Sequence, residues 1–214
     1  MNRALAQYGT ILRRAAAGRA GAVHLVDPQG ARPPRPLAPA DWCGGLRPGD
    51  RGLVARCTGP TLDVGCGPGR LAGALAAAGR LVLGVDLSGE AVRQARRRGV
   101  AVARGCVFSP LPGEGTWRHV LLADGNIGIG GDPGRLLRRC RGLLTPGGDI
   151  LVELDPPGTG SWRGDAALRD ERRTGPPFPW AVVAADDLDD LARGVALRIL
   201  EQWTEYRRCF ARLG

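Results

Sequence analysis

Three glycines at alternate positions follow a short apolar run in residues 61–71, TLDVGCGPGRL, and an alanine-rich helix is predicted directly after them. Glycine adopts a positive φ without strain and lets a ligand approach the backbone, and the start of the helix has free N–H groups. A turn needed only for structure would account for one or two of these glycines. The pattern therefore predicts a ligand-binding turn, of a kind that serves dinucleotides, nucleotides and sulfonium compounds alike.

Strands and helices alternate through the middle of the chain. The predicted strands are 62–65, 81–86, 100–104, 120–123 and 150–154, and the predicted helices are 69–78, 88–98 and 132–144. Strands separated by helices of this length form a parallel sheet covered on both faces. Ligands of such doubly wound sheets bind at the carboxyl ends of the strands, where the glycine turn is placed.

The two ends of the chain have a different pattern. Residues 2–18 predict a helix, 22–26 an extended segment and 49–57 a short helix, whereas the prolines of QGARPPRPLAPADW, residues 29–42, indicate a surface linker or lid without a regular element. Residues 180–184 predict an extended segment, 185–193 a helix, and 198–203 with 207–213 an antiparallel hairpin. We expect an α/β, doubly wound, mostly parallel seven-stranded sheet with an antiparallel C-terminal hairpin. A small N-terminal extension, residues 1–55, would precede a ligand-binding domain, residues 56–214.

The formal charge of +9 is carried by an unusual composition. All 30 basic residues are arginine, and alanine, glycine and proline are abundant, which indicates GC-rich coding of a bacterial type. Such a bias raises the pI without any anionic partner. The longest basic run, residues 96–98, ends a predicted helix, where cations complement the helix dipole. Nucleic acid is therefore not the expected partner.

Metal, membrane and export signals are not predicted. The six cysteines lie at positions 43, 57, 66, 106, 140 and 209. They form no Cys-x-x-Cys pair, and only two histidines accompany them, so no metal site is expected. The N-terminus lacks the apolar core of a secretory signal, and no apolar run is long enough to span a bilayer. A cytoplasmic protein with free thiols is expected, and the oligomeric state is left open.

Two acidic residues narrow the choice of ligand. Asp86 ends the strand LVLGVD, where a carboxylate accepts hydrogen bonds from both hydroxyls of a ribose. The dinucleotide pattern G-x-G-x-x-G is broken by Arg70, and Asp63 lies two residues before the first glycine. A carboxylate there is unfavourable beside a pyrophosphate and favourable beside an ammonium or sulfonium group. S-adenosylmethionine is thus favoured over the cofactor of an NAD-dependent oxidoreductase.

Four segments, TLDVGCGPGRL, VLGVDLSGEAV, HVLLADGNIGIGGDP and LLTPGGDILVELDPPG, resemble in order and spacing the motifs of class I S-adenosylmethionine-dependent methyltransferases. The resemblance covers residues 60–155. It implies that the methionine part of the cofactor is surrounded by Asp63, Gly65, Cys66 and Gly67. It also implies that Asp86 holds the ribose, that Leu87, Cys106 and Val107 lie along the adenine, and that Ala123 and Asp124 close over the amino-acid end. Cys106 departs from the family, which usually has an acidic or amide side chain there as an acceptor.

Methyl transfer depends mainly on alignment of the reacting atoms, and a general base is an addition to it. Asp124, at the end of the fourth strand, and His24, in the extension, are the candidates for that base. His119 begins the same strand at the opposite end and is expected to be structural. Asn126, Trp162 and Trp180 are candidates for contact with the acceptor.

The expected function is methyl transfer from S-adenosylmethionine to a small molecule, with a specialised metabolite as one candidate. The turn after Asp124 lacks the Asn-Pro-Pro-aromatic or Asp-Pro-Pro-aromatic sequence of enzymes that methylate amino groups of nucleic acids and glutamine side chains. One alternative is the same fold with other chemistry, such as cyclisation, or with binding alone. A second alternative is a nucleic-acid methyltransferase, in view of the positive charge.

Overall fold

The computed structural model describes residues 2–214. The N-terminal part consists of α1 (Asn2–Ala16), β1 (Val23–Val26), β2 (Arg35–Leu37), α2 (Pro39–Cys43) and α3 (Asp50–Arg56). The core contains β3 (Thr61–Val64), α4 (Arg70–Ala77), β4 (Val82–Asp86), α5 (Gly89–Arg97), β5 (Val102–Arg104), β6 (Trp117–Leu122), α6 (Pro133–Leu143) and β7 (Leu144–Leu154). The C-terminal part consists of β8 (Trp162–Arg169), β9 (Phe178–Val182), α7 (Leu188–Arg193), β10 (Ile199–Glu205) and β11 (Arg208–Leu213). Short 3-10 helices lie at Asn126–Gly131 and Ala185–Asp187.

The larger sheet confirms the predicted fold class. Its seven strands are ordered β10-β11-β7-β6-β3-β4-β5, and β11 pairs antiparallel with both β7 and β10. The first strand that the chain contributes to this sheet is β3. The next two, β4 and β5, lie on one side of β3, and β6 then lies on its other side. The strand order therefore reverses between β3 and β6, and the carboxyl ends of these two strands are where a ligand is expected in a doubly wound sheet.

Helix caps and core packing explain why these elements form where they do. The Ser88 hydroxyl accepts from the N–H of Ala91 at the start of α5, and Asp132 accepts from Arg135 before α6, which has proline at its first position. Leu62, Val120 and Ile150, on three neighbouring strands, are fully buried in one hydrophobic cluster. The sheet thus has an apolar interior, and polar side chains at its strand ends stand out as exceptions.

A second sheet, which the sequence analysis did not predict, joins the extension to a later segment. It has the order β2-β1-β8-β9, with antiparallel pairing throughout. The expectation that residues 29–42 contain no regular element was wrong, because β2 and α2 lie within them. Pro36 lies in an edge strand, where its missing N–H is not needed, and Pro39 occupies the first turn of α2, which tolerates proline for the same reason.

None of the helices in residues 2–214 combines the length and apolar character needed to cross a membrane.

Candidate cofactor site

The glycine turn connects β3 to α4 and is packed by two other segments. Gly65 and Gly67 have positive φ values of 70° and 54°. A Cβ on Gly65 would lie 2.8 Å from Asn126 Nδ2, and one on Gly67 would lie 3.4 Å from the hydroxyl oxygen of Tyr8. Side chains are thus excluded from this turn both by backbone conformation and by close neighbours.

Asp86 connects the ends of β3 and β4. Its Oδ2 accepts from the N–H of Gly67 at 3.0 Å, and its Oδ1 accepts from the N–H of Ser88 at 2.7 Å. Burial raises the pKa of Asp86 to about 6, and these two hydrogen bonds oppose the rise. The predicted ribose-binding carboxylate therefore lies directly against the glycine turn.

Asp63, on β3, is 2% exposed. Burial raises its pKa to about 7, with a further contribution from the charge of Asp124 and a smaller one from Asp86, while the N–H of Ala72 opposes the rise. Three carboxylates thus meet at the ends of three neighbouring strands. Because they disfavour one another's charge, a cation between them would be stabilised.

Asp124 belongs to a network of six charged side chains. We call it the charge network; its members are Arg47, Asp50, Arg70, Asp124, Glu153 and Arg208. Asp124 has a left-handed backbone, φ 55°, and its N–H donates to Glu153 Oε2 at 2.7 Å. Its carboxylate receives a 2.5 Å hydrogen bond from Arg70 and lies 3.0 Å from Arg47 Nη2. Arg208 Nη2 lies 3.6 Å from the same carboxylate, so three guanidinium groups surround the candidate base, and it holds the turn after β6 in place.

The buried half of the charge network crosses from the extension to the core. Asp50, at the start of α3, is fully buried and contacts Arg70, while its other oxygen accepts from Arg208 at 2.7 Å. Arg208 also donates two 2.8 Å hydrogen bonds to Glu153. Burial alone would raise the pKa of Glu153, but these hydrogen bonds from Arg208 lower it.

Tyr8 of the extension lies over the glycine turn and packs against Trp42, and neither residue was among the predicted site residues. Their rings contact edge to face, with centroids 6.2 Å apart. Burial, together with the charge of Asp86, holds the pKa of Tyr8 well above its usual value, so the hydroxyl at Gly67 stays protonated at neutral pH. The helical spacing of Leu5, Tyr8, Ile11 and Leu12 lets these side chains share one face of α1, but nothing in the local sequence shows which segment that face meets.

Two of the other predicted cofactor residues, Cys66 and Val107, have buried side chains. The Cys66 thiol packs against Gly84 of β4, and burial raises the pKa of that thiol. The Val107 side chain is buried in the core, and its carbonyl accepts from Arg139 at 2.7 Å. Ala123 is buried, whereas Leu87 and Cys106 are half-buried beside the ends of β4 and β5.

The residues predicted to contact the methyl acceptor lie at different distances from the glycine turn. Asn126 donates through Nδ2 to the carbonyls of Val64 and Gly65, at 3.0 and 2.9 Å, so its amide supports the glycine turn. Trp180 packs against Gly128 of the Asn126–Gly131 helix, and Trp162 folds over Gly164, the partner of Trp180 across the β8–β9 pair. The two tryptophans therefore lie on one face of this hairpin, and Trp180 is separated from Gly65 by the Asn126–Gly131 helix.

Neither histidine is placed as a base. His24 lies between Val23 and Leu25 on β1, whose side chains pack in the cluster of Ile11 and Tyr8, so alternation directs His24 to the other face. His119 is buried at the amino end of β6, where Nδ1 lies 2.6 Å from Asp149 Oδ1 and Nε2 accepts from the N–H of Thr58. Within residues 2–214, no group of three or more His, Cys, Asp and Glu side chains is arranged to hold a metal.

The position of His119 predicts a purely structural role. Asp149→Ala is expected to lower the free energy of unfolding by about 1–3 kcal/mol, because the buried Nδ1–H of His119 loses its acceptor. Binding of S-adenosylhomocysteine should be unchanged, since the pair lies at the opposite end of the sheet from the glycine turn. Denaturant unfolding and calorimetric titration of the same variant check both statements, and a loss of affinity without a loss of stability would contradict them.

The strand order, with its reversed last strand, is that of class I S-adenosylmethionine-dependent methyltransferases. Residues 61–148 match the family model described as methyltransferase domain. The chain therefore has the fold of these methyltransferases, and its match to the methyltransferase domain spans the glycine turn and Asp86.

Solved structures support the fold over the whole chain. A methyltransferase from Bacteroides fragilis, solved with S-adenosyl-L-homocysteine, is 22% identical with a TM-score of 0.77, and the match covers 99% of this chain and 94% of that one. The CcbJ methyltransferase from Streptomyces caelestis is 20% identical with a TM-score of 0.59, and the match covers 81% and 88% of the two chains. A 1,6-didemethyltoxoflavin-N1-methyltransferase from Burkholderia thailandensis is 20% identical with a TM-score of 0.55, and the match covers 77% and 75%. Among curated proteins, none matches the chain.

Proposed function

We propose that the protein transfers a methyl group from S-adenosylmethionine to a small-molecule acceptor. The observation that carries the proposal is the position of Tyr8, whose hydroxyl lies at Gly67, so that the chain's own N-terminal helix covers the turn. A site covered in this way admits a small acceptor more readily than the surface of a macromolecule. The toxoflavin enzyme from Burkholderia, with its bound small-molecule substrate, is a precedent within the same fold.

The residues at the strand ends fit this cofactor. When bound, S-adenosylmethionine supplies an electrophilic methyl group on a positively charged sulfur. The backbone at Gly65–Gly67 would lie along its methionine part, with Asp63 stabilising the nearby positive charge. Asp86 would accept from the ribose, and Leu87, Cys106 and Val107 would border the adenine.

Side chains near the turn would align the reactants and exclude water. Tyr8, protonated at neutral pH, would donate a hydrogen bond to an acceptor atom of the ligand beside Gly67. Asp124 would keep its place in the charge network and thereby fix the turn after β6. Neither group needs to remove a proton for transfer to an acceptor that is already nucleophilic.

The basic run at residues 96–98 does not favour a nucleic-acid acceptor. Arg98 donates to the carbonyls of Cys43 and Gly44, and Arg96 donates to Val102. Two of the three guanidinium groups thus take part in packing the extension and β5. They are less available for phosphate contacts than the sequence run indicates.

The proposed class of methyl acceptor can be tested with fractions of a cell extract. A bacterial extract is separated by ultrafiltration into small molecules and macromolecules, and each fraction is incubated with the protein and S-adenosylmethionine. Release of S-adenosylhomocysteine is expected with the small-molecule fraction. Release with the macromolecular fraction alone would overturn the proposed acceptor class, and cofactor binding without release from either fraction would overturn methyl transfer.

The proposed contact between Asp86 and the ribose predicts that substitution of Asp86 lowers the affinity for the cofactor. Asp86→Ala is expected to weaken binding of S-adenosylhomocysteine by tenfold or more, about 1.4 kcal/mol, because the carboxylate acceptor is removed. Asp27→Ala is a matched control, since Asp27 also accepts from two backbone N–H groups but lies in an exposed turn after β1. Equal affinities of the two variants in calorimetric titration would show that the ribose binds elsewhere.

A further inference from the structure

Arg47 is a member of the charge network that also contacts α2. Its Nη2 lies 3.0 Å from Asp124 Oδ1 and 3.9 Å from Glu153 Oε1, at the carboxyl ends of β6 and β7. Its Nη1 lies 3.8 Å from Asp41 Oδ2 in α2. Asp41 precedes Trp42, which packs against Tyr8 over the glycine turn. A single guanidinium therefore connects the cover of the site to the strand ends beneath it.

We infer that Arg47 is a positioning residue that holds α1 and α2 closed over the cofactor site. The inference rests on the proposed function, because the cofactor of that function is the ligand that the closed arrangement would retain. Arg47 acts through its neighbours: it holds Asp41 and hence Trp42 and Tyr8 in place, and its guanidinium is directed toward Asp124 and Glu153.

The contacts of Arg47 differ from those of the buried pair beside it. Asp50 and Arg70 are both almost completely inaccessible, so their contact is a permanent part of the fold. The Arg47 side chain is 22% exposed, and its closest oxygen, Asp124 Oδ1, is not in hydrogen-bond geometry. Contacts of this kind are weak and are screened by salt. If Arg47 moves away, Arg70 still pairs with Asp124. The cover of the site can therefore open without leaving the Asp124 carboxylate unpaired.

The local sequence permits such an opening. Arg47 lies in GGLRPG, residues 44–49, between α2 and α3. Gly49 is left-handed, φ 89°, at the start of α3. Motions of a lid are absorbed by a few residues of this kind at the ends of elements. The segment on the α3 side remains fixed by Asp50, so α2, which Arg98 also holds at its C-terminal end, is the element that Arg47 contacts directly, and α1 follows through Trp42 and Tyr8.

Arg56 provides a matched control. It also joins α3 to the core, since it donates to both oxygens of Glu201 and lies 3.8 Å above the ring of Trp203. Those partners are on β10, at the far edge of the sheet from β3. Arg56→Met therefore removes a comparable link without touching the segment over the glycine turn.

The first test is amide hydrogen exchange of the ligand-free variants. Arg47→Met is expected to increase exchange in residues 2–16 and 39–43 but not in β3 or β4, and Arg56→Met is expected to leave residues 2–16 unchanged. The same exchange pattern in both variants would overturn the inference. Because no ligand is present, this result stands even if the wild-type protein were found not to bind S-adenosylhomocysteine, which would overturn the proposed function instead.

The second test is binding of S-adenosylhomocysteine. Arg47→Met should weaken binding about three- to tenfold, mainly through faster dissociation, Arg47→Lys should restore most of the affinity, and Arg56→Met should match the wild type. Sodium chloride should weaken binding to the wild type more than to Arg47→Met, because only the wild type has the screened contact. Weaker binding without altered exchange would contradict the inference and place Arg47 in direct contact with the cofactor.

Discussion

Asp63→Asn is expected to stabilise the ligand-free protein and at the same time to weaken binding of S-adenosylmethionine. The folded protein raises the pKa of Asp63 from 3.8 to about 7, first through burial and then through Asp124. The folded state therefore holds this proton more tightly than the unfolded state, and the stability of the wild type falls as pH rises from about 4 to about 7. Asparagine removes the penalty, which amounts to as much as about 4 kcal/mol at pH 8.

Unfolding and binding measured on the same variant separate the two effects. In urea, the stability difference between Asp63→Asn and the wild type should be large at pH 8 and small at pH 4. Binding of S-adenosylmethionine by the wild type should tighten as pH rises through about 7, whereas the variant should bind at least tenfold more weakly at pH 8 with little pH dependence. S-adenosylhomocysteine, which lacks the charged sulfur, should show a smaller loss.

Asp27→Asn, in an exposed turn, serves as the control for the change of residue type. If Asp63→Asn left both stability and affinity unchanged, Asp63 would have to be exposed to water in solution and remote from the positive charge of the ligand. If stability rose while affinity stayed the same, burial of the carboxylate would be confirmed, and its placement beside the cofactor would be wrong.

The core of the fold was predictable because its signals are local. The turn at residues 65–69, the Ser88 cap and the Asp132-Pro133 helix start each fix one boundary within a few residues, and right-handed crossovers then restrict the order of strands. The second sheet has no comparable signal. It pairs β1 with β8, from opposite ends of the chain, and β8 contains the polar sequence WRGD, which does not alternate as a half-buried strand does.

The placement of some candidate site residues was predictable for the same reason. Asp63 and Asp86 lie at the ends of adjacent strands, as the sequence predicts, and their contact with the cofactor stays a prediction. Arg70 was identified only as a residue that breaks the dinucleotide pattern. Its partner Asp50 lies in the extension, and a pair of charges that meets through tertiary packing leaves no periodicity in the sequence. The contact of Tyr8 with Gly67 was not predicted for the same reason, because it depends on where α1 packs in the folded chain.

Loss of Asp50 is expected to be among the most destabilising single changes in the chain. Asp50→Ala leaves Arg70 with Asp124, and it leaves Arg208 with Glu153 and with Asp124 at 3.6 Å, so the buried side of both guanidinium groups loses its counter-charge. Breaking a buried ion pair from one side costs about 3–5 kcal/mol. Asp41→Ala is the matched control. Asp41 is likewise an aspartate of the extension with an arginine partner, Arg47, but it is half exposed. Its loss should change the free energy of unfolding by no more than about 1 kcal/mol.

A double-mutant cycle shows whether this cost arises from the pairing itself. Because Arg70→Met removes the charge that Asp50 compensates, Asp50→Ala combined with Arg70→Met should be less destabilised in urea than the sum of the two single variants, by about 1–3 kcal/mol. Additive effects would mean that Asp50 acts mainly through Arg208 or through the backbone N–H of Arg47, which donates to it at 2.7 Å. The cycle repeated with Arg208→Met then separates those routes, because only the first of them would show coupling.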